Sequence, residues 1–188
     1  MKNVVFDGSA AEHALHIVKS DFNLINITFR SAKFNGFAAD FASGSVDTSS
    51  FQKTGSDGAV FSGTDAKIYM STFSEIGREA IAAGESGNVH AEQCTVKNAG
   101  IGIAVRDGAQ AILTDSVVDT CRLSAAVTYR QKSFFDMPGL VINNSRLGGG
   151  ENTPILRQPG TLMTVDGQEA AETEFDLKNL YPTGIIRK

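Results

Sequence analysis

The chain has no apolar run approaching the roughly 20 residues a membrane-spanning helix needs, so no membrane span is expected. It has no basic stripe either. Its 17 Lys and Arg are scattered among 21 Asp and Glu, for a net charge of −4. Nucleic-acid binding is therefore not expected, because such proteins gather their cations on one face. There are only two cysteines, Cys94 and Cys121, and they fall in different columns of the chain's repeat, so the register does not stack one thiol on the other. They read as small buried residues. The familiar catalytic and metal motifs are missing: there is no P-loop, no Gly-x-Ser-x-Gly, no His-Glu-x-x-His and no Cys-x-x-Cys. Neither a cofactor nor a metal is implied. Met1-Lys2-Asn3-Val4-Val5-Phe6 runs at once into Asp7-Gly8, so no signal-peptide core is seen. The chain reads as cytoplasmic or as a domain of a longer secreted protein. The abrupt start favours the second, and with it the cell surface or exterior.

What the chain does have is a repeat. A small-x-apolar triplet recurs as Ser49-Ser50-Phe51, Ser71-Thr72-Phe73, Cys94-Thr95-Val96 and Ser116-Val117-Val118. The apolar members are 22, 23 and 22 residues apart. Gly55, Gly77 and Gly100 follow in three units and Arg122 in the fourth, each ahead of a small apolar stretch. A fixed period in this range denotes a solenoid.

Aligning the units gives columns. Ala66/Val89/Ala111, Ile68/Ala91/Leu113 and Phe73/Val96/Val118 read as inward, and Met70/Gln93/Asp115 reads as a bend between short strands. Phe6, Phe29, Phe51 and Phe73 read as layers of one apolar ladder. The alternation Phe37-Ala39-Phe41 extends the array upstream. Leu-x-x-Leu-x-Leu spacing is missing, which argues against a leucine-rich repeat, and a β-sandwich would not align at this period. The expected fold is all-β: a right-handed parallel β-helix of about seven coils of ~22 residues with a C-terminal cap. Residues 1–150 form the β-helix, which ends at Gly148-Gly149-Gly150, and residues 151–188 form the cap. The period stretches once, because Arg130–Gly139 is inserted after the sixth coil.

Two groups of residues could carry function. Lys67, His90, Tyr69 and Glu92 fall in adjacent outward columns, a set suited to acid–base chemistry on a sugar and equally to a solvated wall. Arg106 and Asp107 stand at a corner near Tyr129, Arg130 and Lys132, with Asp107 expected to stack on Tyr129. There an arginine could pair with a uronate carboxylate and a tyrosine could stack on a sugar. Paired corner charges are the plainer reading.

The stretch Gly100-Ile101-Gly102-Ile103-Ala104-Val105-Arg106-Asp107-Gly108, with Tyr129-Arg130-Gln131-Lys132, resembles the right-handed, pectate-lyase-like β-helix repeats of bacterial surface proteins. With Thr164-Val165-Asp166-Gly167 and Leu180-Tyr181, it is similar to β-helix domains that follow CotH-type modules. The resemblance implies an extracellular, carbohydrate-facing scaffold and transfers no catalytic residue. The chain departs from it at Arg122-Leu123, where a corner glycine would stand. The leading expectation is a non-catalytic module that meets a polysaccharide or another surface component. A polysaccharide-active lyase, hydrolase or epimerase is the alternative. A phage-tail or adhesin repeat, signalled by a homo-oligomer, is a third.

Overall fold

The computed structural model of the protein describes residues 1–148 and 155–181. The strands wind into three walls, each a parallel ladder in which every rung pairs with the equivalent strand of the next turn. The first wall starts at 21–25. It continues through Ser43–Asp47, Asp65–Tyr69, Asn88–Glu92, Gln110–Thr114, Gly139–Asn143 and Leu162–Val165. The second carries Ser50–Thr54, Val117–Asp119 and Arg146–Leu147 among its rungs. The third carries His13–Val18, Asn35–Asp40, Ala59–Ser62, Ser124–Tyr129 and Ile155–Arg157. Thr72–Gly84 and Thr95–Arg106 each turn a corner and supply both the second and third walls. The result is the expected right-handed parallel β-helix of about seven coils.

Parallel stacking at about 4.8 Å per turn places each side chain on its counterpart one coil away. Phe6, Phe29, Phe51 and Phe73 accordingly stack face to face, with ring centroids 5.0, 4.9 and 4.6 Å apart. Val96 and Val118 continue the ladder. The expected alternation Phe37-Ala39-Phe41 holds for the first two only. Phe41 stands at a corner with φ 51° and is 58% exposed.

Each coil turns at three corners, most of them made by one residue in the left-handed region and two by a pair, Glu85-Ser86 and Asp107-Gly108. Asn26, Thr48, Met70, Gln93, Asp115 and Asn144 form the first column, with φ between 45° and 53°. Ser31, Lys53, Glu75, Asn98 and Thr120 form the second. Lys19, Phe41, Gly63, Glu85 and Asp107 stand at the third. The bend expected at Met70/Gln93/Asp115 is the first of these. After the second corner, a Cβ on Gly55 or Gly77 would meet a carbonyl oxygen of the coil below at 2.2 Å, so only glycine fits. Arg122 ends this column. Its guanidinium reaches back to donate to the carbonyls of Gly77 (2.7 Å) and Ile76 (3.2 Å).

Two irregularities shape the third wall and its rim. Lys97 pairs with Asp119 at a step of 22, but Ile101 pairs with Ser124 at a step of 23, so one residue has been added between them. Tyr129 therefore stacks on Arg106, not on Asp107 as expected. The inserted loop appears as expected, since Gln110 pairs with Gly139 across it. Parallel pairing then runs on past residue 150, through Ile155–Arg157 and Leu162–Val165. Gly149 and Gly150 lie outside the described residues. Leu162–Val165 folds back on Gln168–Glu169, and the short helix Leu177–Leu180 follows. Leu177, Leu180 and Tyr181 pack on the outside of the third wall, against Ile101, Ala104, Val127, Tyr129 and Leu156.

A candidate binding cleft on the third wall

The outer face of the third wall carries a cleft of about 550 Å³. Its floor is two outward columns of short side chains. One presents Ala38 and Val60. The other runs Asp40, Ser62, Gly84. The inserted loop contributes Gln131 and Lys132 to the rim, and the C-terminal segment contributes Tyr181.

Along one side runs a polar column at a strict step of 22: His13, Asn35, Asp57 and Glu79, ended by Ile101. Its two middle members act alike. Asn35 Oδ1 accepts the backbone N–H of Asp57 at 3.0 Å, and Asp57 Oδ1 accepts that of Glu79 at 3.1 Å. The unlike side chains perform one task, satisfying an amide of the coil above.

Asp57 and Glu79 are fully buried and paired with arginines. Arg78 grips Asp57 with two bonds, of 2.8 and 2.6 Å, the fork-to-carboxylate arrangement that favours arginine over lysine. Arg106 Nη1 donates to Glu79 Oε2 at 2.9 Å. Glu79 Oε1 accepts from the Tyr181 hydroxyl, which itself lies 2.9 Å from the Tyr129 hydroxyl. The Arg78 guanidinium lies 5.3 Å above the Tyr181 ring. Burial pushes the Glu79 carboxyl up, but Arg106, Arg78 and the Tyr181 bond together hold it below its ordinary range. Burial and the neighbouring Glu79 charge push Asp57 the other way, upward, against Arg78. Burial also drives both tyrosines well above the usual phenol range.

The second group expected from the sequence lies largely here. Arg106 lines the cleft, and the Glu79 bond is its one described side-chain hydrogen bond. Asp107 is buried and anchors the inserted loop, accepting the backbone N–H of Gln131 and of Lys132 at 2.8 Å each. Lys132 pairs with Glu85 and lies 5.7 Å from the Phe135 ring. The Tyr129 ring is buried, so it offers no face for stacking. The Arg130 backbone N–H donates to Gln158 Oε1, and Arg130 does not line the cleft. Lys67, Tyr69, His90 and Glu92 sit together as expected, in neighbouring columns of the first wall. There Lys67 and His90 border a shallow depression of about 410 Å³. The two groups therefore occupy different walls. Asp57, Arg78, Glu79 and Tyr181 were not expected; the step of 22 from His13 to Glu79 was the available signal.

Among the described residues, no group of three or more His, Cys, Asp or Glu could hold a metal ion. Among the same residues, no helix is long and apolar enough to cross a membrane. Residues 13–162 match the family model described as "Right handed beta helix region". No curated protein and no solved structure matches the chain.

Proposed function

The chain belongs to the right-handed β-helix family, and from that fold and the third-wall cleft we propose a module that binds a saccharide and leaves it unchanged. One observation carries the reading: the carboxylates buried in the cleft are already engaged. A general base must reach the proton it removes, and a buried oxygen already held by a guanidinium or hydroxyl donor is poorly placed to do so. Both oxygens of Glu79 accept bonds from Arg106 and Tyr181, and both oxygens of Asp57 accept from Arg78. The remaining donors of Arg106 and the hydroxyl of Ser62 line an open, elongated floor suited to the many hydroxyls of a glycan. A glycan array with product analysis tests this. Binding with the ligand recovered intact is expected; shortened or unsaturated products would overturn it.

A polysaccharide-active enzyme is the second reading. What favours it is that Asp57 and Glu79, adjacent in one column, are driven in opposite directions, as in acid–base pairs. Product release in the same assay, lost in Glu79→Gln, would establish it.

A further inference from the structure

We infer that the ligand of the third-wall cleft is an uncharged saccharide and not a uronate or sulfated chain; the inference rests on the saccharide reading above. The charge on the lining carries it. Glu12, Asp40, Asp57, Glu79, Glu85 and Asp107 border the cleft, against Arg78, Arg106 and Lys132 as permanent cations. Carboxylates outnumber these cations even if Asp57 holds a proton.

The arrangement matters as much as the count. Arg78 lies on Asp57 at 2.6 Å, Arg106 on Glu79 at 2.9 Å, and Lys132 on Glu85. An incoming carboxylate that approached any of these cations would also approach the carboxylate that already neutralises it. At a few ångströms, in a partly dehydrated cleft, that repulsion offsets the attraction. A neutral hydroxyl both donates and accepts, and meets no such opposition. Guanidinium N–H groups can donate to it, and the second carboxylate oxygens of the half-buried Asp40 and Glu85 can accept from it.

The floor has the length for an extended chain. Asp40, Ser62, Gly84 and Arg106 are successive rungs of one column. Three steps of about 4.8 Å make about 14 Å. A ligand lying along the helix axis would meet the Asp40–His16 pair (2.7 Å) at one end and the Arg106–Glu79 pair at the other.

The test uses paired oligosaccharides of the same linkage that differ chiefly in charge: methyl-esterified galacturonan with free galacturonan, and β-1,4-mannan with mannuronan. Binding to the protein is titrated at about 0.02 and about 0.5 M salt, where screening differs strongly. The expected result is binding of a neutral member at least tenfold tighter than its acidic partner, changing less than about twofold with salt. Glu85→Gln, which releases Lys132, is expected to narrow that preference at least about threefold. Tighter binding of the acidic member, weakening as salt rises, would overturn the inference and leave the saccharide reading standing. No binding to a broad array of either kind would overturn both.

Discussion

Arg106 lies across Gly84 to reach Glu79. A Cβ placed on Gly84 would stand 3.5 Å from both Cγ and Nε of Arg106, ordinary van der Waals contact with no room to spare. Gly84→Ala is therefore expected to change stability by less than about 1 kcal/mol and to keep ligand binding. Gly84→Val would push the guanidinium off Glu79 and weaken binding at least tenfold. Comparative titration of the two variants, with thermal unfolding as the control, checks this.

Removing Glu79 is a different matter, because it takes from the largely buried Arg106 guanidinium the carboxylate it pairs with. Glu79→Ala is expected to cost about 3–5 kcal/mol in chemical denaturation, the usual result of breaking a buried pair from one side.

The acid limb of stability follows from the same carboxyl. Its folded value lies below its unfolded one, so the unfolded chain takes up the proton first as pH falls. Its stabilisation is present above the ordinary carboxylate range and is lost as pH drops through the lower folded value. Asp57, shifted upward, has the opposite sign: it favours the fold at lower pH and loses that contribution as pH rises through its raised value. The two partly cancel. Urea midpoints from pH 7 to pH 3 should fall less steeply in Glu79→Gln than in the parent and more steeply in Asp57→Asn. Identical slopes in all three would contradict the assignment.

Cys94 stands in a column of serines. Ser71 Oγ donates to the carbonyl of Tyr69 at 2.9 Å and accepts the N–H of Ser49 at 3.1 Å, and Ser116 repeats the pattern. Cys94 Sγ lies 3.4 Å from the Glu92 carbonyl, in the same role. Cys94→Ser is thus expected to be neutral to within about 1 kcal/mol, although the site is fully buried, since a hydroxyl finds both partners waiting. Burial pushes the Cys94 and Cys121 thiols from about 9 up to about 11. The unfolded chain therefore ionises first on the alkaline side, and stability falls as pH rises from about 9 through about 11. Cys94→Ser should flatten that decline, and neither thiol of the folded parent should react with iodoacetamide at pH 8.

Met70 carries a φ of 46° with its side chain half in solvent. The left-handed region costs a side-chain-bearing residue about 1–2 kcal/mol, and glycine avoids most of this at some entropic cost. Met70→Gly is expected to stabilise by about 0.5–1 kcal/mol, and Met70→Val to destabilise by more than about 1 kcal/mol, as read by denaturant midpoints.

The architecture was legible because stacking writes like residues at a constant step. The phenylalanine ladder, the bend at Met70 and the stretched period after Tyr129 could all be read directly. The other two corners could not. Ser31, Lys53, Glu75, Asn98 and Thr120 share a backbone conformation but no chemistry. The cleft was half legible. Arg106 and Lys132 stand out as charges beside an insertion, whereas the column His13, Asn35, Asp57 and Glu79 is hidden by its changing identities, although Asn35 and Asp57 share one role. One added residue before Ser124 moved Tyr129 into the Arg106 column, which no fixed period could foresee. Tyr181 meets Glu79 across a separation of 102 residues, outside any repeat.

That last contact sets an order in time. Each coil needs only its neighbour to stack, so the aromatic rungs near the N-terminus can form while later turns are still being added. The third-wall face cannot keep pace with them. Glu79 waits one turn for Arg106, a further turn for Tyr129, and then for Tyr181 to fold back over the wall. A growing chain thus has its scaffold long before it has its third-wall cleft, and Tyr181 is the last of the cleft's lining residues to be placed.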